Sequence, residues 1–552
     1  MARNLNPRSF IHTIPMFRYA LMLLVGIVIA SNSGSVFGLR EWIVAVCLLV
    51  GAALLVNKRH EMTSSVLLLL AIVGVGGMRY SFHAKDAWAV TDDQHCRLGM
   101  NIASEPIRRG KVIQFEGIVN DVSAVSNSPV SGDGGQGISC RMKGRRLYIS
   151  LLRDTITRRY EALHIGQAII ADVDVSPLKD WHRINSHFDY IRWQKMRGIV
   201  GRGFVGIGKW EASAVGFSAL GFWETLKLRA LVFRQKILER IKTVMPGDEA
   251  YAVLTAMALG NKSSLTSELR EEYSISGASH ILALSGMHLS IIYMLLSFFI
   301  RDRKLLYRLL IFIGLWGYVG FVGMPLSVVR AASMLTIWEA VWLAGREQRP
   351  LNVFGATLVI MLMSNPESLW DVGFQMSFMA VFAIIVTRPL SQQLMPMRPR
   401  LMRKPEEMAL PLWKRTRNKM SRGLWYTACV SVAAQLGTAP LSAYYFGRVS
   451  MYFLLTNLIV IPCATVIICG AFMLTAIILA DIAIGGALSM LAVAAGTMLS
   501  AIVTMQNDIL GCIAQLPGAS IEGVHVTMVQ TMASYVMVYA LLLVLYRLAR
   551  VR

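Results

Sequence analysis

The sequence predicts a polytopic α-helical membrane protein of about twelve spans with one external β-rich domain, and three observations carry that prediction. Of the 552 residues, 55% are hydrophobic and 16% charged, and the mean hydropathy of +0.51 lies outside the range of soluble chains. Apolar runs near the length a bilayer requires recur in two groups along the chain. Basic residues concentrate in alternate connections between those runs, as cytoplasmic loops do. The net charge of +22 has two available sources, an anionic partner or this loop bias.

The first group of runs covers 16–33, 42–56 and 65–80. It lacks a small-residue cleavage site and continues at once into further spans, so it is expected to be a retained anchor. The polar region 97–212 contains "VIQFEGIVNDVSAV", "RRLYISLLR" and "GQAIIADVDVSP". These are β-branched runs punctuated by Gly, Ser and Asp, which predict a small barrel or sandwich. "FWETLKLRALVFRQKILERIKTVM" follows with apolar and basic residues at helical spacing, predicting an amphipathic helix on a membrane surface. The second group then covers 279–300, 304–323, 325–344, 351–364, 369–388, 423–446, 450–478, 483–512 and 528–548. Four units result: 1–96, three spans; 97–212, the β domain; 213–278, an interfacial helical segment; and 279–552, the larger helical domain.

With the N-terminus cytoplasmic, alternation places Lys58 and Arg59, "RDRK" at 301–304, Arg346 and Arg349, the basic stretch 388–422 and the C-terminal arginines inside, and the β domain outside. Seven cysteines show no C-x-x-C and no Cys/His zinc spacing, so no metal is expected. Cys96 and Cys140 alone lie in polar sequence, where an oxidising compartment would let them pair.

"SISGASHILALSGMHLS", Ser274 to Ser290, begins polar and becomes membrane-grade. On one continuous helix, Ser279, Ala283, Gly286 and Ser290 form a small, mildly polar stripe. Such a stripe serves either close helix packing or a pore wall. On that helix His280 lies about 100° from the stripe and His288 nearly opposite it, which excludes an adjacent ligand pair. Gln375, Gln435, Thr438 and Asn457 bring polarity into apolar runs, and Pro440, Pro366 and Pro462 are candidate breaks or helix ends. Broken backbone at membrane depth is tolerated where it lines a cavity or is buried in protein. These residues are therefore candidates for a passage wall or for ordinary interhelical hydrogen bonds. Arg330, about 8 Å along its run from Pro325, either meets a phosphate or snorkels to headgroups. Glu339, half a helical rotation away, is expected to make a separate polar contact. In the β domain, Trp181, Arg183, Tyr190, Arg192 and Trp193 combine charge and π-faces. That combination suits a single nucleic-acid strand or an interfacial anchor.

"ALGNKSS" lacks P-loop spacing and "RHEMT" is not H-E-x-x-H, so neither marks a nucleotide or zinc site. No catalytic residues and no cofactor are expected. The enzymatic alternative is an intramembrane hydrolase using Ser279 with His280 or Ser285 with His288.

"ELREEYSISGASHILALSGMHLSII" at 268–292 is similar to the signature of the ComEC competence-protein family. Further similar segments follow in order: "GMPLSVVRAASM" at 323–334, "NPESLWDVGFQMSFMAVFAI" at 365–384, "AAQLGTAPLSAYYFGRVS" at 433–450 and "NLIVIP" at 457–462. "INSHFDYIRWQKMRGI" at 184–199 resembles the end of that family's external domain. The resemblance implies a bacterial inner-membrane channel admitting single-stranded DNA during natural transformation, with an OB-type fold for 97–212. It also implies a periplasmic DNA receptor and a cytoplasmic helicase-like ATPase as partners. Many such proteins carry a C-terminal metallo-β-lactamase-like domain. No H-x-H-x-D-H occurs here and the chain ends just after its last span, so that domain is expected to be missing. Ser279, His280, Ala283, Ser285, Gly286, His288, Arg330, Gln375, Gln435, Thr438, Pro440 and Asn457 are the candidate path or gate residues. The rival reading is a secondary transporter or flippase-like protein for another anionic substrate, since fold alone does not fix function.

Overall fold

The computed structural model describes residues 14–33, 37–56, 60–86, 88–124, 141–178, 188–213, 221–299, 305–394 and 411–551. Cys140, Trp181 and Arg183 lie outside the described residues, as do the basic connections 57–59, 300–304 and 395–410. The chain opens with α1 (Pro15–Ser33), α2 (Leu39–Val56) and α3 (Glu61–Asp86). Contact between α1 and α3 is close because glycines meet backbone: a Cβ on Gly26 would lie 1.9 Å from the Val73 carbonyl oxygen, and one on Gly76 2.3 Å from that of Leu23. Small residues are what allow such approach where lipid removes the hydrophobic drive between helices.

The β domain contains β1 (Gln94–Ile102), β2 (Ile107–Arg109), β3 (Val112–Ala124), β4 (Arg146–Leu152), β5 (Ala168–Ser176), α4 (Tyr190–Met196), β6 (Ile199–Val205) and β7 (Trp210–Ser213). Strands pair in the closed cycle β1–β3–β4–β6–β5–β1, antiparallel except for the parallel β4–β6 contact. A five-stranded closed barrel with one parallel pair joining its third and fifth strands is the OB topology. Alternate residues fill it: Leu147, Ile149 and Leu151 of β4 point into the core with Leu98, Phe115, Ile169 and Val173.

Next come α5 (Phe222–Val244), α6 (Asp248–Leu259), α7 (Ser267–Ile275), α8 (Ser279–Leu282), α9 (Gly286–Phe299), α10 (Leu305–Phe321), α11 (Leu326–Leu343), α12 (Pro350–Ser364), α13 (Val372–Gln393) and α14 (Leu412–Phe446). β8 (Arg448–Ser450), α15 (Phe453–Ile484), α16 (Ser489–Ala514), β9 (Ser520–Glu522) and α17 (Met528–Val551) complete the chain, β8 pairing antiparallel with β9. Among the described residues, eight helices are long and apolar enough to cross a membrane: α1, α2, α3, α11, α13, α15, α16 and α17; α9, α10 and α12 are shorter apolar helices. The run expected at 423–446 forms the C-terminal part of α14. The protein is a multi-pass helical membrane protein with an OB-like barrel: composition predicted the helical membrane class, strand punctuation a small barrel or sandwich, and the family resemblance the OB type.

Two local expectations are corrected. Pro440 and Pro462 do not break their helices; α14 and α15 run through them. Pro440 strands the carbonyl four residues back, and Tyr535 of α17 donates its hydroxyl to the adjacent Gly437 oxygen at 2.7 Å. The amphipathic α5 also has a second function beyond any surface role. Leu228 and Leu231 pack on Ile118 and Ile165 of the barrel domain, and further along the helix contacts α10, α15 and α16. It is a seam between barrel and bundle.

The barrel is tied to the bundle at Arg192 of α4. Its Nε donates to Glu367 Oε2 at 2.6 Å, Nη2 reaches Ser31 Oγ and Tyr80 Oη at 3.4 Å each, and the guanidinium lies 3.5 Å from the Trp370 ring centre. The C-terminal ends of α1, α3 and α12 therefore meet on the barrel side, where Arg79 also donates to the carbonyls of Met363 and Ser364.

Candidate substrate cavity

A cavity of about 1530 Å³ opens between barrel and bundle. Glu116, Arg146, Trp193 and Arg197 line it from the β domain, and Lys227, Leu231 and Arg234 from one face of α5. Below them it is walled by α9, α11, α13 and α14, and on each helix the lining stops partway: at Ser290, Leu335, Val381 and Ser431. At its deep end Met334, Leu335 and Val381, packed against neighbouring hydrophobic residues, stand beside the two serines Ser290 and Ser431.

The segment 274–290 is not one helix. Gly277 takes φ +84°, and a Cβ there would also sit 2.7 Å from Ser450 Oγ, so the position suits glycine alone. After the single turn α8, Ala283 is extended at φ −97°, ψ 133°. The face angles expected of a continuous helix therefore do not apply. Because the chain unwinds along the wall, Ser279, His280, Ala283, Ser285, Gly286 and Ser290 all line the cavity. Ser327 Oγ holds the unwound strand by donating to the Leu284 carbonyl at 2.6 Å.

His288 is 1% exposed and does not line the cavity. Its Nδ1 accepts from the Ser285 backbone N–H at 3.0 Å and lies 2.7 Å from Ser285 Oγ. This is the reach of a capping-box side chain back to the residue that starts α9. Its Nε2 has no partner among the described residues, so the pair lacks the orienting third group of a hydrolytic triad. Ser279 Oγ donates to the Tyr273 carbonyl and His280 Nδ1 to that of Gly277, so these two are not paired with each other.

Arg330 lines the cavity yet is 3% exposed, so it does not snorkel. Nη2 donates to the Gly373 carbonyl at 2.9 Å, Asp371 stands 3.9 Å away, and the guanidinium lies 5.6 Å from the Phe374 ring centre. Nε and Nη1 make no hydrogen bond among the described residues, Nη1 being the atom that faces Asp371 across 3.9 Å. Glu339 makes the expected separate contact, accepting from Tyr293 at 2.5 Å and pairing with Arg308. Gln435, Thr438 and Asn457 line the cavity, and Asn457 Oδ1 and Ser431 Oγ are buried without hydrogen-bond partners among the described residues. Gln375 does not line it: its amide donates to the Leu369 carbonyl and accepts from Tyr445, which is interhelical bonding. Pro440 is likewise off the wall.

Of the barrel candidates, Trp193 lines the cavity, stacked with Tyr190 at 5.5 Å between ring centres. Arg192 is engaged in the tie described above. Sequence reasoning missed Arg146, Arg197, Lys227 and Arg234. Arg234 sits among the apolar positions of an amphipathic helix, the one signal that marked it. A latch closes the rim: Arg448 of β8 pairs with Glu271 at 2.6 Å and Glu522 at 2.8 Å and donates to Ser274 Oγ at 3.0 Å. Among the described residues no group of His, Cys, Asp and Glu is placed to hold a metal.

The family model described as "Competence protein" matches residues 257–548, more than half of the chain. ComE operon protein 3 of Bacillus subtilis (strain 168) is 26% identical over 258 residues, 46% of this chain and 30% of that protein. An uncharacterized protein of Aquifex aeolicus (strain VF5) is 29% identical over 160 residues, 28% of this chain and 37% of that one. The uncharacterized protein YcaI of Escherichia coli (strain K12) is 22% identical over 167 residues, 28% of this chain and 22% of that protein. The chain thus spans well under half the length of the curated relatives it matches, and no solved structure matches it. The matched region holds the unwound strand, Arg330 and the polar wall of α14, and on that match the chain belongs to the ComEC family of competence proteins.

Proposed function

We propose that this protein takes part in DNA uptake as a channel that passes single-stranded DNA across a bacterial inner membrane during natural transformation. The observation that carries the reading is the cavity itself, whose lining ends partway along its helices and includes Arg330 with two buried nitrogens that make no hydrogen bond among the described residues. A buried guanidinium with unused donors is costly unless an anion or water completes it, and its fork matches a phosphate. Ser279, His280, Ala283, Ser285, Gly286, Gln435, Thr438 and Asn457 form the path in this reading, while His288, Gln375 and Pro440 hold its walls. The barrel is taken as periplasmic and both termini as cytoplasmic, with the units 1–96, 97–212, 213–278 and 279–552. A periplasmic DNA receptor and a cytoplasmic helicase-like ATPase would deliver and pull the strand.

The test is internalisation of labelled DNA in a deletion strain complemented with the intact gene or with Arg330→Glu. A carboxylate at this position faces the passing phosphates, so uptake is expected to fall below about 1% while the protein still inserts. Full uptake by a well-expressed variant would remove Arg330 from the path. Ion-coupled uptake of a small anion into vesicles, with transformation intact after deletion, would favour the carrier reading instead.

A further inference from the structure

We propose that Arg146, Arg197 and Lys227 form an entry site at the cavity mouth that reads the phosphodiester backbone of a single strand and ignores its bases. This rests on the single-strand reading above. Arg146 on β4 and Arg197 just after α4 share one carboxylate, Glu116 of β3, at 3.5 and 3.4 Å. Lys227 of α5 lines the same mouth and holds no ion pair among the described residues. Arg146, Arg197, Lys227 and, further in, Arg234 face three carboxylates, Glu116, Glu224 beside Lys227 and Glu105 on the cavity lining, and this leaves a positive surplus in a partly desolvated place, where like charges repel more strongly than in water. Burial first, then neighbouring Arg146, holds the Lys227 ammonium below its ordinary range, and an arriving anion would relieve both causes.

The surplus continues inward. Arg234 lies two turns along the same face of α5, is 8% exposed, and donates to the carbonyls of Leu259 and Val322 at 3.2 and 3.3 Å. Its Nε has no hydrogen-bond partner among the described residues. The aromatic at the mouth does not offer a free platform to a base. Trp193 is stacked with Tyr190, and the Arg197 guanidinium lies 4.3 Å from its ring centre. Trp193 is therefore a positioning residue that holds Arg197 toward the cavity, and recognition there is by charge.

The experiment uses the full chain in detergent micelles and fluorescence anisotropy with two labelled probes, an oligo-dT of about 12 nucleotides and an abasic oligomer of the same length. The two are expected to bind within about threefold of each other. Arg197→Gln and Lys227→Gln should each weaken both probes by the same factor, about tenfold at low salt, and reduce the slope of log K against log salt by about 0.7. Glu116→Gln should tighten both probes several-fold by removing the competing carboxylate, a direction that loss of folding does not produce. Preference for oligo-dT over the abasic probe by more than about tenfold would overturn the proposal, because stacking would then be reading bases. Unchanged salt slopes in both glutamine variants, or weaker binding by Glu116→Gln, would also overturn it. Either result with Arg330-dependent uptake intact leaves the channel reading standing. A wild-type chain that binds neither probe and supports no uptake removes both.

Discussion

Leu335→Asn tests whether the deep end of the cavity is a closed apolar gate. From Leu326 to Leu335 the lining of α11 extends about 14 Å at 1.5 Å per residue, and the rest of that helix, about 12 Å, contributes no lining side chain. Met334, Leu335 and Val381 stand at the boundary with Ser290 and Ser431 beside them, so ions entering from the barrel side meet a largely apolar zone that water must first wet. Keeping a leucine-sized apolar surface dry is worth about 1.5–3 kcal/mol. An amide there should lower the wetting cost by about 2 kcal/mol, or roughly 30-fold in passive leak. The assay is dye-reported potassium flux in proteoliposomes holding equal amounts of folded wild type and variant. Equal leak from both would refute the gate, and a large leak from wild type would show that the deep end is not closed.

Two further outcomes follow from the walls. His288→Ala should lower stability by about 1 kcal/mol through loss of the α9 cap, while His288→Gln should retain most of it, because Gln at this position reaches the same N–H; thermal unfolding in detergent distinguishes them. Arg192→Met leaves Glu367 without its partner in a partly exposed place and removes the contact with Trp370, a cost of about 1–3 kcal/mol. Hydrogen exchange should then quicken in α4 while β1, β3 and β4 keep their protection; unchanged α4 protection would show that the barrel is held elsewhere.

Much of the architecture was legible because its signals are local. Hydrophobic runs located the spans, and period-two runs such as Arg146 to Leu152 located the barrel strands. The family resemblance added the OB topology. The candidate site was legible only in part. Small and polar residues of 279–290, which sequence left open between helix packing and a pore wall, line the cavity, and they do so through a chain that unwinds at Ala283 rather than the continuous helix expected. Gln375 and Pro440 carry the same sequence signal as Gln435 and Thr438, yet they bond to Tyr445 or sit within a continuous helix. Which side of a span faces a cavity depends on its neighbours, and those are distant in sequence.

The sequence by itself therefore determined that this chain lives in a bilayer and which stretches are its apolar helices and which its barrel strands, while several helix ends, such as the start of α14 at Leu412 rather than 423, lie well away from the expected bounds. Composition and periodicity act residue by residue against the solvent, and the solvent is the same whatever the partners turn out to be. Only the tertiary structure decided that Arg234 and Arg330 are buried beside a cavity, that Arg146 and Arg197 share one carboxylate with Lys227 on the same lining, and that Arg192 is a tie. Those facts depend on packing between elements up to hundreds of residues apart, and the energy of a charge is set by what surrounds it.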